Sequence, residues 1–293
     1  MSQDKKQVFL YCGHHKCAST WIEDICFYVC SELRLNYEIL YDAKDFNYDL
    51  QKYIDDKGLD FVCYANADYE YVKKVKNYRG FHVVRDPRDI VVSAYFSHLH
   101  SHATEAWPEL IDYREKLKAQ DQNLGLFTEI DFRAQQFQEM MSWPERDPNI
   151  IELKMEDLTL NAYKIYTQLF DFLNLVDTKN YTAPKRISYL FHKVMRKMEK
   201  VTGINIFPPL PQLPVERLLG VVWEHEFSRI SGGRKAGQED IKSHYRKGVA
   251  GDWVNHLSAE HLAYFCERYE AVLFKYGYES NPDWKDSYKI TIP

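Results

Sequence analysis

Three short stretches of the 293-residue chain set cations and hydroxyls where an anion could be held. The first is "YCGHHKCASTW", Tyr11–Trp21, between the apolar run Val8–Leu10 and an amphipathic segment that starts at Ser19. A loop that leaves a strand and opens a helix aims unpaired backbone N–H groups at whatever lies before it, and the helix dipole adds partial positive charge. Lys16 supplies a full charge, Ser19 and Thr20 supply hydroxyls, and Ala18 and Ser19 are small enough for close backbone approach. An ordinary βα turn capped by Ser19 fits the same residues. The pattern GxxxxGK[ST] is absent, which sets nucleoside and small-molecule kinases of the Walker type well back.

The second stretch is "VVRDPRDIVVSAYFSH", Val83–His98. Arg85 ends an apolar run, the position at which open α/β sheets bind ligands. Ser93 lies eight residues on, inside the helix that follows, so the two suit a second phosphate. Taken alone, Arg85, Asp86, Arg88 and Asp89 read as a surface ion-pair cluster. The third stretch is "SHYRKGVAGDW", Ser243–Trp253, where Arg246, Lys247 and Gly248 form a compact cationic loop; taken alone it reads as a solvated basic turn. The three together, in this order, favour an anion pocket over three unrelated features.

These loops need a frame. Val8–Tyr11, Asp60–Tyr64, Gly80–Val84 and Asn149–Leu153 read as strands. Ser19 to about Leu35, Pro87 to about His98 and the run "NAYKIYTQLFDFLNL" read as helices, with Pro87 in the first turn where proline fits. Short apolar runs alternating with amphipathic helices imply parallel strands and an α/β fold with a central parallel sheet flanked by helices. The second half reads as helical around Ile187–Lys200, Val215–Ile230 and Ala259–Tyr276. Phe207–Pro214, "FPPLPQLP", is a rigid extended connection, and Gly232–Ser243 is a surface loop. No separate core follows the proline-rich segment, so one domain over 1–293 is expected.

Composition limits the function classes. The chain is 45% hydrophobic and 28% charged, with a formal net charge of −5. That is ample for a large core and argues against a nucleic-acid binder held by phosphate contacts. Six cysteines include no CxxC pair; Cys26 and Cys30, four apart on a helix, lack a second ligand pair, so structural burial is expected rather than metal binding. No run reaches the roughly 20 apolar residues of a membrane span, and the N-terminus lacks a signal peptide. A reduced, cytoplasmic protein with no integral membrane segment is the expectation.

Taken together the motifs resemble the PAPS-dependent sulfotransferases of the cytosolic type. "HHKCASTW" is similar to that family's 5′-phosphosulfate loop PKSGTTW, "RDPRDIVVSAYFSH" to its 3′-phosphate motif, and "RKGVAGDW" to RKGxxGDW. "ELKMEDL", Glu152–Leu158, resembles the strand often written KYEDL. The resemblance runs over about residues 8–280 and implies a P-loop-like sulfotransferase architecture. It also implies PAPS as co-substrate, 3′-phosphoadenosine 5′-phosphate (PAP) as product, and a small-molecule or lipid-like acceptor, and it leaves a homodimer open. Carried over residue by residue, Lys16 meets the phosphosulfate bridge, Cys17, Ala18, Ser19 and Thr20 form the backbone cradle, and Trp21 stacks on adenine. Arg85 and Ser93 hold the 3′-phosphate, and Arg246, Lys247 and Gly248 close over it. Ser188 aligns loosely with a further hydroxyl near the nucleotide.

Two departures stand out. His15 replaces the proline before the lysine, with Cys17-Ala18 in place of Ser-Gly. The histidine that the family carries after its second strand, in KTHLP, is missing from "FVCYANADYE". The missing histidine motivates a rival reading, a nucleotide-binding regulator without catalysis. For an enzyme, the general base is then sought among His98, His15, His14 and Asp68. His98 leads, because Ser93 fixes its helix against the nucleotide. His15 follows, since the adjacent Lys16 depresses its pKa and favours the neutral form. The series His98, His100 and His102 invites a metal, but a solvated helix end is the expectation, and no metal is assigned.

Overall fold

The computed structural model describes residues 6–105, 107–178, 187, 189–192, 194, 195, 198 and 209–285. Its centre is a five-stranded sheet in the order β2-β3-β1-β4-β5, with every pairing parallel. The strands are β1 (Val8–Cys12), β2 (Tyr37–Leu40), β3 (Phe61–Tyr64), β4 (Tyr78–Val84) and β5 (Ile150–Lys154). Strands buried on both faces need apolar residues at nearly every position, and β1 and β3 supply them as "VFLYC" and "FVCY". β4 lies against β1 because Gly80 faces Leu10; a Cβ there would stand 2.3 Å from the Leu10 carbonyl oxygen.

Alternation along the strands sorts side chains onto two faces. Tyr11, Phe61, Cys63, Phe81 and Val83 pack with α1 (Ser19–Leu33), α9 (Ala162–Phe172) and α10 (Val215–Glu224). Leu10, Cys12, Val62 and Tyr64 pack with Leu50 and Ile54 of α2 (Leu50–Lys57). A third cluster joins α4 (Pro87–Phe96), α6 (Gln122–Phe132), α7 (Ala134–Ser142) and α12 (Ala259–Lys275). All six cysteines are buried free thiols. No helix among the described residues is long and apolar enough to cross a membrane.

The four expected strands are present within two residues of their expected ends. β2 was not expected: "YEIL" is a four-residue edge strand with Glu38 in it, too short and too polar to stand out. Also unread from sequence are α5 (Glu109–Lys118), which packs on the turn after α4, and α6 and α7, which pack with α4 and with Val84 at the end of β4. The expected helix Val215–Ile230 breaks at His225 into α10 and a short α11 (Phe227–Ile230). The end of the proline-rich segment is tied down rather than free: Leu213 and Pro214 pair with Val176 and Asp177. Ser188 lies outside the described residues, as do 193, 196, 197, 199 and 200 of the helix expected around 187–200; the described residues of that stretch are helical.

His14 and His82 meet inside this core, with Nε2 atoms 2.8 Å apart and no exposure. The His82 ring stacks on Trp143 at 3.8 Å and 4°. Burial holds both imidazoles neutral, with His82 pushed down to about 3 and His14 well below its ordinary value. Below about pH 6.5 the unfolded chain protonates both histidines while the folded one does not. Stability is therefore lost as pH falls from about 6.5 towards 3, at about 1.4 kcal/mol per pH unit for each histidine. Urea midpoints at pH 7 and pH 5 check this, and the double change His14→Gln and His82→Gln should reduce the difference, the remainder coming from His15, His98, His102 and His244, whose pKa values burial also lowers.

Candidate active site

The loop after β1 has an unusual backbone. Lys16 and Ala18 both adopt left-handed conformations, with φ of 66° and 64°, an alternation that curls successive N–H groups into an anion-binding concavity. The Cys17 N–H closes the loop onto the His14 carbonyl at 3.1 Å, and its thiol is buried beneath. The Ser19 hydroxyl donates to the same carbonyl at 3.2 Å instead of capping the helix. No side chain caps the 15-residue α1, so its first amides face outward. Trp21 is half-buried, edge-on to Tyr166 at 5.5 Å, and its indole N–H finds no partner among the described residues.

β4 ends beside this loop, and Arg85 donates to the Lys16 carbonyl at 3.0 Å. The charges after Arg85 form a buried clasp rather than a surface ion-pair cluster; Asp86, Arg88 and Asp89 are at most 6% exposed. Arg88 pairs with Asp86 at 2.7 Å and with Glu279 at 2.5 Å, its guanidinium lying over Trp253 and Trp284. Asp89 accepts from the N–H groups of Gly251 and Trp253 at 2.7 and 2.9 Å. That carboxylate fixes the RKGVAGDW loop to the first turn of α4.

The clasp brings the three motifs together. Lys16, Ser93, Phe96, Ser243 and Arg246 line one narrow pocket. Arg246 lies over the Phe96 ring at 4.7 Å and pairs with Glu239 and with Asp252, the latter at 2.6 Å. Lys247 meets the other oxygen of Asp252 at 2.5 Å. Burial opposes charge on Asp252, yet hydrogen bonds from Lys247, Asn255 and Arg246 hold its carboxyl well below the usual range. Glu239, Asp252 and His256 converge closely enough for a cation, and Arg246 and Lys247 already fill that role. Lys16 has no such carboxylate. Burial, then Arg85, Arg133 and Arg246, push its ammonium down to about 7, with Glu129 opposing.

The expectation of a solvated helix end at "HLHSH" holds for His100, which is exposed, and fails for His98. The chain continues past α4 as one π-helical turn, Ser97–Ser101, and His98 has no exposure. The reason lies in α5 and α6, which close over the turn. Arg114 of α5 donates to the carbonyls of His98 and His102 at 2.6 and 2.5 Å. His98 Nδ1 lies 3.0 Å from Glu129 Oε2 of α6, and Glu129 also takes the Tyr113 hydroxyl at 2.9 Å and an ion pair to Arg133 at 3.0 Å. On its other side His98 Nε2 meets His15 Nε2 at 3.1 Å, with His102 edge-on to both rings.

Of the four candidate bases, two converge beside Lys16 and two are engaged elsewhere. His14 turns into the core against His82. Asp68 caps the short helix Tyr69–Val72, accepting from the Glu70 N–H at 2.9 Å. The residues that sequence reasoning missed are Asp89, Glu129 and Arg133. Asp89 carried a signal, an acid one helical turn after Arg85. Glu129 and Arg133 carried none, because α6 and its junction with α7 were unread.

Gly248 sits at φ 67°, and a Cβ there would meet the Phe227 ring at 2.5 Å. Gly248→Ala should loosen the Arg246 loop and weaken anion binding about tenfold or more, with a small effect on the melting temperature; calorimetric titration checks it.

A family model described as a sulfotransferase domain matches residues 7–277. No curated protein matches the chain. Among solved structures, mouse sulfotransferase SULT7A1 complexed with PAP superposes with a TM-score of 0.52 at 16% identity, covering 97% of this chain and 88% of that one. A retinol dehydratase in complex with androsterone and inactive cofactor PAP gives 0.45 at 15% identity, covering 92% and 80%. The first of these shares the fold. With the family model matching nearly its whole length, the chain belongs to the sulfotransferase domain family.

Proposed function

We propose that the protein, as one domain over residues 1–293, transfers the sulfuryl group of PAPS to a hydroxyl or amine and releases PAP. The observation that carries this is the convergence of Lys16, Ser93 and Arg246 on one pocket, with Lys16 in the loop that opens the uncapped α1. The residue types support a nucleotide with two separate phosphate groups. The α1 amides and Lys16 suit the 5′ end, Arg85, Ser93 and the Arg246–Gly248 loop suit the 3′ end, and the orphaned Trp21 indole suits the base. Transfer of a sulfuryl group builds negative charge on peripheral oxygens and on the leaving phosphate, so most of the catalysis is positioning and charge stabilisation. Lys16 serves the leaving oxygen. A proton acceptor is still required, and the His15–His98 pair beside Lys16 supplies one. The regulator reading, motivated by the histidine missing after β3, loses its support there. Trp107, Phe132 and Tyr113 form a stack against His98, with Phe132 partly exposed, which favours an acceptor with an apolar body, small or lipid-like.

Calorimetry with PAP is the direct test; preference for ATP over PAP would sink the reading. Arg246→Ala should weaken PAP binding about tenfold to a hundredfold, the worth of a charge-assisted hydrogen bond. It should leave the analogue lacking the 3′-phosphate nearly unaffected. Arg85→Ala should weaken both nucleotides, because it also frees the Lys16 carbonyl. Equal losses for Arg246→Ala with both ligands would assign that residue a different role.

Lys16 makes a separate prediction. With its ammonium near 7, the free protein is mostly neutral there at pH 8, and an arriving anion restores the charge. PAP binding at pH 8 should take up close to one proton, read from titrations in buffers of different ionisation enthalpy. The uptake should shrink at pH 6 and vanish in Lys16→Met.

A further inference from the structure

His98 is the residue the sequence favours as base, yet both of its ring nitrogens are already engaged. Glu129 Oε2 lies 3.0 Å from Nδ1, and His15 Nε2 lies 3.1 Å from Nε2. Burial opposes charge on Glu129, but His98, Arg133 and the hydrogen bonds from His98 and Tyr113 keep its carboxyl below its ordinary value. An ionised carboxylate only accepts, so Nδ1 of His98 carries the hydrogen. Neutral His98 then presents a lone pair at Nε2, and His15 must donate to it from its own Nε2. That leaves the lone pair of His15 on Nδ1, one residue from Lys16. His15 is half-buried, whereas His98 has no exposure.

We propose, on the reading of the site as a sulfotransferase, that His15 Nδ1 is the terminal base of a two-histidine relay, with His98 passing the charge to the neighbourhood of Glu129. As the acceptor oxygen bonds to sulfur, the bond from sulfur to the bridging oxygen breaks and its electron pair stays on the phosphate beside Lys16. The acceptor's proton goes to His15 Nδ1. The Nε2 proton of His15 moves to His98 Nε2, so His15 ends neutral and His98 ends as the imidazolium, still donating from Nδ1 to Glu129. Proton return to solvent runs the same path backwards.

Electrostatics gives the relay its direction. The groups facing His15 are Lys16, Arg133, His98 and His102, none of them acidic; burial first, then these, lower its pKa. His98 also faces Arg133, Lys16 and His102, and burial lowers its pKa, but Glu129 works against this through charge and hydrogen bond. A positive charge is therefore better held on His98 than on His15. Glu129 is a positioning residue: it fixes the tautomer of one ring and, through it, of the next. Gln136 donates to the His15 carbonyl at 2.9 Å and holds that residue in place.

The test is a pH titration of the ¹⁵N-histidine-labelled protein in its PAP complex, followed by NMR of the ring nitrogens. At neutral pH the expected tautomers are Nδ1–H on His98 and Nε2–H on His15. On acidification the pair should take up its first proton with His98 becoming the imidazolium and His15 switching to neutral Nδ1–H. In Glu129→Gln, the pH of that first uptake should fall by about one unit or more, since an opposite charge this close is worth roughly 1–3 units. Reversed tautomers, or an imidazolium forming on His15 while His98 is unchanged, overturn the relay. The wild-type spectra decide this even if the variant does not fold. Failure of PAP to bind overturns the sulfotransferase reading and with it the catalytic use of the pair. Binding of PAP with reversed tautomers overturns the relay alone.

Discussion

Four cations gather around the loop after β1, and their mutual repulsion governs how the rest of the site is built. Arg246 is held by Glu239 and Asp252, and Arg133 by Glu129. Arg85 donates to a backbone carbonyl of the same loop. Lys16 has only the field of its neighbours, and its ammonium gives way first, down to about 7. Like charges in a partly buried space raise one another's energy until an anion arrives. Glu129, Glu239 and Asp252 each hold a cation, and Lys16, the residue nearest the proposed chemistry, is left without a carboxylate partner among the described residues.

The same constraint explains the clasp. A cationic loop cannot stay against other cations unless something fixes its backbone. Asp89 does this by accepting two N–H groups of the loop, from Gly251 and Trp253. Arg88, one residue earlier, lies over Trp253 and pairs with Asp86 and Glu279. The turn that begins at the end of β4 thus positions Arg85 on one side and the Arg246–Gly248 loop on the other. Ile241, Ser243, His244 and Arg246 reach the pocket from the irregular stretch between Ile230 and Asp252. Backbone strain lies in the left-handed conformations of Lys16 and Ala18, which favour glycine.

The three motifs were legible because each combines residue types that an anion site needs with a strand or helix end that can be read from apolar runs. Val8–Leu10, Phe61–Tyr64 and Val83–Val84 announce buried parallel strands, and they fix where Lys16 and Arg85 must lie. The region between His98 and Asn149 was not legible. In α6 the apolar residues Leu124, Leu126, Phe127 and Ile130 surround Gly125, and no clean stripe results; tertiary packing decides that helix. Losing α5 and α6 meant losing Glu129 and Arg114, and with them the reason His98 is buried. The clasp was misread for a related cause: four alternating charges look solvated unless the elements that cover them are known.

The histidine missing after β3 and the histidine present before Lys16 are connected through the backbone. The segment after β3 is laced to the β1 loop by main-chain bonds, Gly13 N–H to Tyr64 O and Ala67 N–H to Gly13 O, both 2.9 Å. Asn66 turns away to the Tyr41 carbonyl, and Asp68 caps its own helix. Asp68, the candidate base of this stretch, is thus engaged away from the pocket. His15 lies one residue from Lys16, about 3.8 Å between Cα atoms, so a base there needs no second element to bring it to the reacting group. It does need a partner to set its tautomer, and α4 provides one by running one π turn further than its strict helical pattern, to His98. On the proposed reading, charge stabilisation and proton removal are carried on adjacent residues of one strained loop, and any motion of that loop moves both together.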